Sequence, residues 1–189
     1  MRLFVAVDLD DASREAIGAE QTRLRRALDA EGRPAWKWVR PDRMHLTLVF
    51  IGEVDAPAAE AIVRAMRTDF HSPAFSLVFG GLGVFPAHGA PSVLWLGVTD
   101  GRAAAIALQQ RVADRLASVG VAPERRAYHP HLTLARGDSA SPADRRRVAA
   151  LDRGGAIARI DVCAVSVYQS RLSPAGPDYT TLVRTELRP

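Results

Sequence analysis

Only one cysteine, Cys163, occurs in 189 residues. No disulfide can close within the chain, and a cysteine-based zinc site has too few ligands. No apolar run reaches the roughly 18 residues of a membrane-crossing helix. No leader is evident, because Asp8 and Asp10 fall where a signal peptide would still be apolar. A soluble cytoplasmic protein without a membrane partner is expected. No Pro/Gly/Ser-rich or charged tether divides the chain, so residues 1–189 are read as one bilobal domain, and Gly80–Ser92 (GGLGVFPAHGAPS) as a loop between lobes. Lysine is scarce as well: Lys37 is the only one, and arginine supplies the rest of the basic charge behind a net +4. Such a surplus attracts anions such as RNA. Arg23, Arg25 and Arg26, and again Arg145, Arg146 and Arg147, fall on helical patterns, where a solvated face is the plainer reading.

Against these absences stands a repetition. His-Leu-Thr-Leu occurs at His45–Leu48 and again at His131–Leu134, each time inside an apolar run that reads as a strand. Alternation puts His45 with Thr47, and His131 with Thr133, on one face, and turns the leucines to the other. The leucines suit a core, which leaves each imidazole on an open face beside a hydroxyl. One such strand is explained as well by packing as by chemistry; two identical ones point to function.

The repeat extends outward. Arg2–Asp10 (RLFVAVDLD) and Val93–Asp100 (VLWLGVTD) are apolar strands ending in acid. A helical pattern follows each: Ile17, Leu24 and Leu28 in the first, Ile106, Val112, Leu116 and Val119 in the second. A short Pro-containing connection leads to each histidine strand, and a second helix follows. Pro57 opens one, with Ala59, Ile62, Val63, Met66 and Phe70 on its apolar face; the other has Ser141, Pro142 and Asp144 in capping-box spacing. A last strand closes each half, Phe75–Phe79 toward Phe85 and Ile160–Tyr168 toward Leu172. This order predicts an α+β fold of two pseudo-symmetric lobes, repeating at roughly 1–90 and 91–189, with strands open to exchange between them. Each lobe is an antiparallel sheet with two helices, and the cleft between them holds both histidines, their imidazoles roughly 5–8 Å apart.

Imidazole titrates near neutrality, so one histidine of a pair can accept a proton while the other donates one. In-line displacement at phosphorus needs that pairing. Thr47 and Thr133 can donate to non-bridging oxygens. Arg136, five residues after His131, is off the histidine face by strict alternation, but a strand-end guanidinium can reach a phosphate; a surface ion pair is the alternative.

At these residues the chain resembles the two-histidine (2H) phosphoesterase superfamily, whose signature is a duplicated His-x-Thr/Ser-x. Within it, it is most similar to the bacterial and archaeal RNA 2′,3′-cyclic phosphodiesterases, historically called 2′-5′ RNA ligases. The resemblance rests on RLFVAVDLD, WVRPDRMHLTLVFIGEV at Trp38–Val54, VLWLGV at Val93–Val98, PHLTLAR at Pro130–Arg136 and SRLSPAGPDYT at Ser170–Thr180. It implies an enzyme that opens the cyclic phosphate at an RNA 3′ end to a 2′-phosphate, without metal or organic cofactor; a monomer is the expected state. His45 is then the proton donor to the departing 3′ oxygen and His131 the proton acceptor for water, while Thr47, Thr133 and Arg136 bind the phosphate. The reverse joining of a cyclic-phosphate end to a 5′-hydroxyl, and a non-catalytic RNA-end-binding module, are the alternatives.

Some positions depart from that pattern. Relatives carry arginines between Phe85-Pro86 and Val93, where this chain has AHGAPS, with His88 its one basic residue. His129 and His131 have the look of a metal pair but lack a convincing third ligand. Trp36, Trp38, Phe85 and Tyr179 are candidates for stacking on a base, each with core or loop packing as the alternative. His71 reads as a helix-end residue without a role.

Overall fold

The computed structural model describes residues 1–29, 35–124, 126–174 and 176–188. In chain order these form β1 (Arg2–Asp8), α1 (Asp11–Leu28), β2 (Trp36–Trp38), a 3-10 turn (Pro41–Arg43), β3 (His45–Glu53), α2 (Ala56–Met66), β4 (Phe70–His71) and β5 (Phe75–Phe85). They continue with β6 (Val93–Asp100), α3 (Arg102–Ala117), β7 (His131–Gly137), α4 (Pro142–Leu151), β8 (Ala156–Val162), β9 (Ala164–Ser173) and β10 (Gly176–Arg188). Among the described residues no helix is long and apolar enough to cross a membrane.

The strands run β4-β10-β9-β1-β3-β7-β6-β5-β8, with β2 added to β7. Every pairing is antiparallel except β4 with β10. One residue pair, Leu46 with Leu132, joins β3 to β7 and so joins two half-sheets. The half-sheets are not the two halves of the chain. β9 pairs with β1 and β10 with β9, while β5 pairs with β6 and β8. The run expected as one strand at Ile160–Tyr168 breaks at Cys163, and β8 and β9 go to opposite half-sheets. Helices are exchanged too: α1 packs on β8 and α4, and α3 packs on β3 and α2.

Local signals account for the helices. Asp10 caps α1 by accepting from the Ser13 amide at 2.7 Å, and Ile17, Gln21, Leu24 and Leu28 then fall on its buried face. Asp55 does the same for α2 through the Ala58 amide. At α4 the Asp144 carboxylate accepts from the Ser141 amide and hydroxyl. On α3 the buried face is Ala105, Leu108, Val112 and Leu116; Ile106 is 38 % exposed and Val119 lies beyond the helix end. Phe70 leaves the face of α2 for β4, and Val63 is half-buried. Gly80–Phe85 continues β5, so the expected loop begins only after Phe85.

Both histidine strands carry the same irregularity. One step on β1, from Ala6 to Val5, takes two on β3, from Thr47 to Val49. One step on β6, from Trp95 to Leu94, likewise takes two on β7, from Thr133 to Ala135. The extra residues, Leu48 and Leu134, are bulges after which alternation resets. Leu48 and Val49 are therefore both buried, as are Leu134 and Ala135, and the next residues, Phe50 and Arg136, turn outward.

A bulge frees backbone groups that must be satisfied in a buried setting. The Leu134 carbonyl accepts from the Val39 amide at 2.9 Å and from Gln21 Nε2 at 3.0 Å, and Gln21 also reaches the Val39 carbonyl at 2.6 Å. Gln21 is a buried polar residue of α1 spent on holding this bulge. Gln21→Leu should cost about 1–3 kcal/mol, which for a chain of this size lowers Tm by about 2–4 °C per kcal/mol. Thermal unfolding reads it; an unchanged Tm would mean that the bulge closes without the amide.

Candidate active site

The Leu46–Leu132 pair sets the site. Continuing its antiparallel register by one residue places His45 opposite Thr133 and Thr47 opposite His131, with all four on the face away from the buried leucines. The histidines are then diagonal neighbours, about 7–8 Å apart on such a ladder. Each imidazole is tethered in the same way. His45 Nδ1 lies 3.0 Å from the Arg43 carbonyl, and His131 Nδ1 lies 2.7 Å from the His129 carbonyl. A carbonyl can only accept, so Nδ1 carries the hydrogen and the neutral ring presents an unprotonated Nε2.

The settings differ. Phe4 stacks on His45 with centroids 4.7 Å apart, and Tyr179 meets it edge-on at 5.2 Å. Across the strand His45 faces Asp8, whose carboxylate accepts from Ser166 Oγ at 2.9 Å and from the Tyr168 hydroxyl. Burial pushes the His45 pKa down to about 4, against the opposing pull of the Arg43 carbonyl and the Asp8 charge; Arg14 and Arg136 lower it further. Burial and Asp8 also raise Tyr168.

His131 faces Gly97 instead of a carboxylate. Phe85 meets its ring edge-on at 5.1 Å, with Trp95 and His129 nearby. Trp95 lies flat over β5 because Gly83 leaves room; a Cβ there would come within 2.1 Å of the indole. His131 is lowered from its ordinary value by burial, opposed by the His129 carbonyl and reinforced by Arg136.

Arg136 reaches this face because of the Leu134 bulge. Strict alternation would turn it away; the extra residue restores it to the side of His131 and Thr133. Its charge bears on His45, His131 and Tyr179 together, which places it beside the cleft. Thr47 and Thr133 are half-exposed between the histidines. From the other side Tyr128 donates to the Thr47 carbonyl at 2.9 Å, and burial raises its pKa. The arrangement supplies two imidazoles, two hydroxyls and one guanidinium around a space suited to a tetrahedral anion.

Other residues settle differently. Trp36 is 3 % exposed in the core, and Trp38 donates to Asp29 Oδ2 at 3.1 Å, so both serve packing. Phe85 and Tyr179 do lie against the histidines. His71 belongs to β4 rather than a helix end, and its carbonyl accepts from Arg111. His129 Nδ1 lies 3.2 Å from the Arg102 guanidinium, and among the described residues no group of three His, Cys, Asp or Glu converges as metal ligands. Arg145 holds the loop after Phe85 by donating to the Pro86 and Gly89 carbonyls, both at 2.8 Å. Ala175, in the closing landmark, lies outside the described residues. Sequence reasoning missed Phe4, Asp8 and Trp95, although alternation along VLWLGV and RLFVAVD already groups them on one face with Gly97 and Ala6. It also missed Gln21, whose only signal was a polar residue on an apolar helix stripe.

Comparison with known proteins gives the same picture. The family model described as the 2′-5′ RNA ligase superfamily matches residues 10–173. A protein of Aeropyrum pernix named RNA 2′,3′-cyclic phosphodiesterase is 34% identical over 161 residues, 85% of this chain and 90% of its own. One of the same name from Methanothermobacter thermautotrophicus is 33% identical over 186 residues, 96% of each chain. Among solved structures, TT0787 of Thermus thermophilus superposes with a TM-score of 0.81 at 25% identity, covering 100% of this chain and 98% of its own. E. coli LigT complexed with 3′-AMP gives 0.74 at 29% identity, covering 98% and 97%. The duplicated histidine strands, the joined half-sheets and these matches place the chain in the 2′-5′ RNA ligase superfamily, whose members are two-histidine phosphoesterases.

Proposed function

We propose that this protein is an enzyme that hydrolyses the 2′,3′-cyclic phosphate at an RNA 3′ end to a 2′-phosphate by two-histidine acid–base catalysis. The observation that carries the reading is the pairing of two tethered imidazoles across the Leu46–Leu132 seam, each beside a threonine and both under the charge of Arg136. The names of the relatives supply the substrate class.

In this mechanism His131 Nε2 takes a proton from water as its oxygen bonds to phosphorus. The bond from phosphorus to O3′ breaks, and O3′ takes a proton from His45 Nε2. The product has a 2′-phosphate and a free 3′-hydroxyl; His131 ends protonated and His45 neutral, and exchange with solvent resets both. Thr47, Thr133 and Arg136 hold the non-bridging oxygens as charge moves onto them. The broken symmetry supports this division of roles. Asp8 opposite His45 favours the imidazolium, whereas Gly97 opposite His131 offers no carboxylate. Before substrate binds, burial outweighs Asp8, so both rings are neutral at pH 7. A bound phosphodiester anion then favours the proton on His45, most strongly because His45 sits where the dielectric is lowest.

Turnover of an oligonucleotide ending in a 2′,3′-cyclic phosphate, with chelator present, should yield the 2′-phosphate. No turnover would leave an RNA-end-binding module. A 5′-hydroxyl strand in the same assay reads the reverse joining. His45→Ala and His131→Ala should each lower the rate at least about 10²-fold, and the double variant should be little worse, because the two act as a unit. A single variant with near wild-type turnover removes that residue from the pair.

The pH dependence follows from the two depressed pKa values. kcat/KM requires His45 protonated and His131 neutral, so it rises as His131 loses its proton and falls as His45 does. Its maximum should lie on the acid side of 6.5, between about 4 and the lowered value of His131. Asp8→Asn lowers His45 further. If His45 is the acid, kcat/KM drops across this whole plateau; if His45 were the base, the plateau would keep its height and only its acid limb would move.

Arg136→Lys keeps the charge and loses the planar fork. It should raise KM and also lower kcat, since the phosphate oxygens shift as phosphorus becomes pentacoordinate. Steady-state kinetics on the cyclic-phosphate oligonucleotide separate the two; unchanged values for Arg136→Ala would return Arg136 to the surface.

A further inference from the structure

A chain ending in a 3′-terminal cyclic phosphate extends from the site in one direction only, through its 5′ neighbour, and the two faces flanking the cleft are unlike. On the His131 side the loop after Phe85 has no arginine, Arg145 is committed to that loop's carbonyls, and Arg102 lies against His129. On the His45 side, Phe50 turns outward after the Leu48 bulge and is 56 % exposed, a large ring in water on the face that carries the histidine. Its centroid is 5.9 Å from Phe4, the ring stacked on His45. Two residues before Phe4, about 7 Å along β1, Arg2 occupies the same face and is exposed. Arg2 shares a cross-strand row with Ser170 and Tyr179, and Tyr179 feels its charge. Among the described residues Arg2 makes no ion pair, and Glu53, opposite it in register, is engaged by the Met1 ammonium at 3.6 Å. An exposed ring followed by an uncommitted guanidinium is the pattern by which single strands are held, base on ring and phosphate on cation.

We propose that Phe50 and Arg2 form a subsite for the nucleotide on the 5′ side of the cyclic phosphate, with its base on Phe50 and its phosphodiester on Arg2. The subsite rests on the cyclic-phosphate reading above and goes beyond it by setting the path of the RNA: over β3 and β1, away from the loop after Phe85. It makes the enzyme one for RNA ends rather than for free cyclic nucleotides.

The test compares a trinucleotide ending in a 2′,3′-cyclic phosphate with a mononucleoside 2′,3′-cyclic phosphate, on wild type, Phe50→Ala, Phe50→Trp and Arg2→Gln. Phe50→Ala and Arg2→Gln should each raise KM for the trinucleotide by about fivefold or more, with kcat and the pH profile retained. The ratio of trinucleotide to mononucleoside kcat/KM should fall with them, and Phe50→Trp should restore it. For Arg2→Gln the slope of log KM against log salt on the trinucleotide should flatten by about 0.7, one phosphate contact on a single strand. Equal losses on both substrates would overturn the subsite by moving these residues to the terminal nucleotide, and no loss on either would send the chain elsewhere. Binding of a fluorescent trinucleotide carrying a 2′-phosphate is measured alongside. If wild type turns over neither substrate, the cyclic-phosphate reading fails by itself, while the binding series still decides whether Phe50 and Arg2 hold the strand.

Discussion

Leu46 and Leu132, both wholly buried, are, among the described residues, the one strand-paired couple that joins the two half-sheets. Both histidine motifs are placed relative to that pair. Because the strands are antiparallel there, each motif presents its histidine to the other's threonine, and the imidazoles fall on a diagonal. A longer ladder would have closed the sheet flat. A pairing this short lets β3 and β7 part beyond it, with β2 taking over the edge of β7 at Trp36–Trp38. The seam therefore sets the register of the two histidine motifs against each other.

Duplication supplies two copies of the same device, and the two copies differ in what surrounds them. Both histidines are tethered at Nδ1 by the carbonyl two residues before, and both strands bulge three residues after. Yet the residue facing the ring is Asp8 in one copy and Gly97 in the other, and the residue after the bulge is Phe50 in one and Arg136 in the other. Two imidazoles in identical settings would titrate alike, and a difference in setting is what can bias the proton toward one of them. The Arg136 charge bears on both rings, so the carboxylate facing only His45 is what makes the two settings unlike.

Much of this was legible in the sequence, for a physical reason. The period of two in HLTL states which side chains share a face, and its repetition states that two such faces must meet. The capping box at Ser141 is local and legible in the spacing; the caps at Asp10 and Asp55 are equally local but were not read. What stayed hidden was non-local. Nothing in the amino-acid order says that β5 joins β6 or that β9 returns beside β1, because strand exchange between similar lobes satisfies the same hydrophobic pattern as its absence. The face of Arg136 was hidden for a different reason. A bulge inserts one residue into the count without any glycine to mark it, and strict alternation then gives the wrong side.

That bulge is also where fold and function are most tightly bound together. Reorienting a strand end by one residue leaves a buried carbonyl that needs a donor, and the donor comes from a helix that follows β1 in sequence yet packs on the other half-sheet. The exchange of α1 between lobes thus has a consequence at the candidate site: it delivers Gln21 to the Leu134 carbonyl and so stabilises the turn of strand that brings Arg136 to the histidine face. In the other copy, the residue aimed by the Leu48 bulge is an uncharged ring rather than a guanidinium. The duplicated architecture thus uses the same bulge to set an arginine on the histidine face in one copy and an exposed aromatic ring in the other.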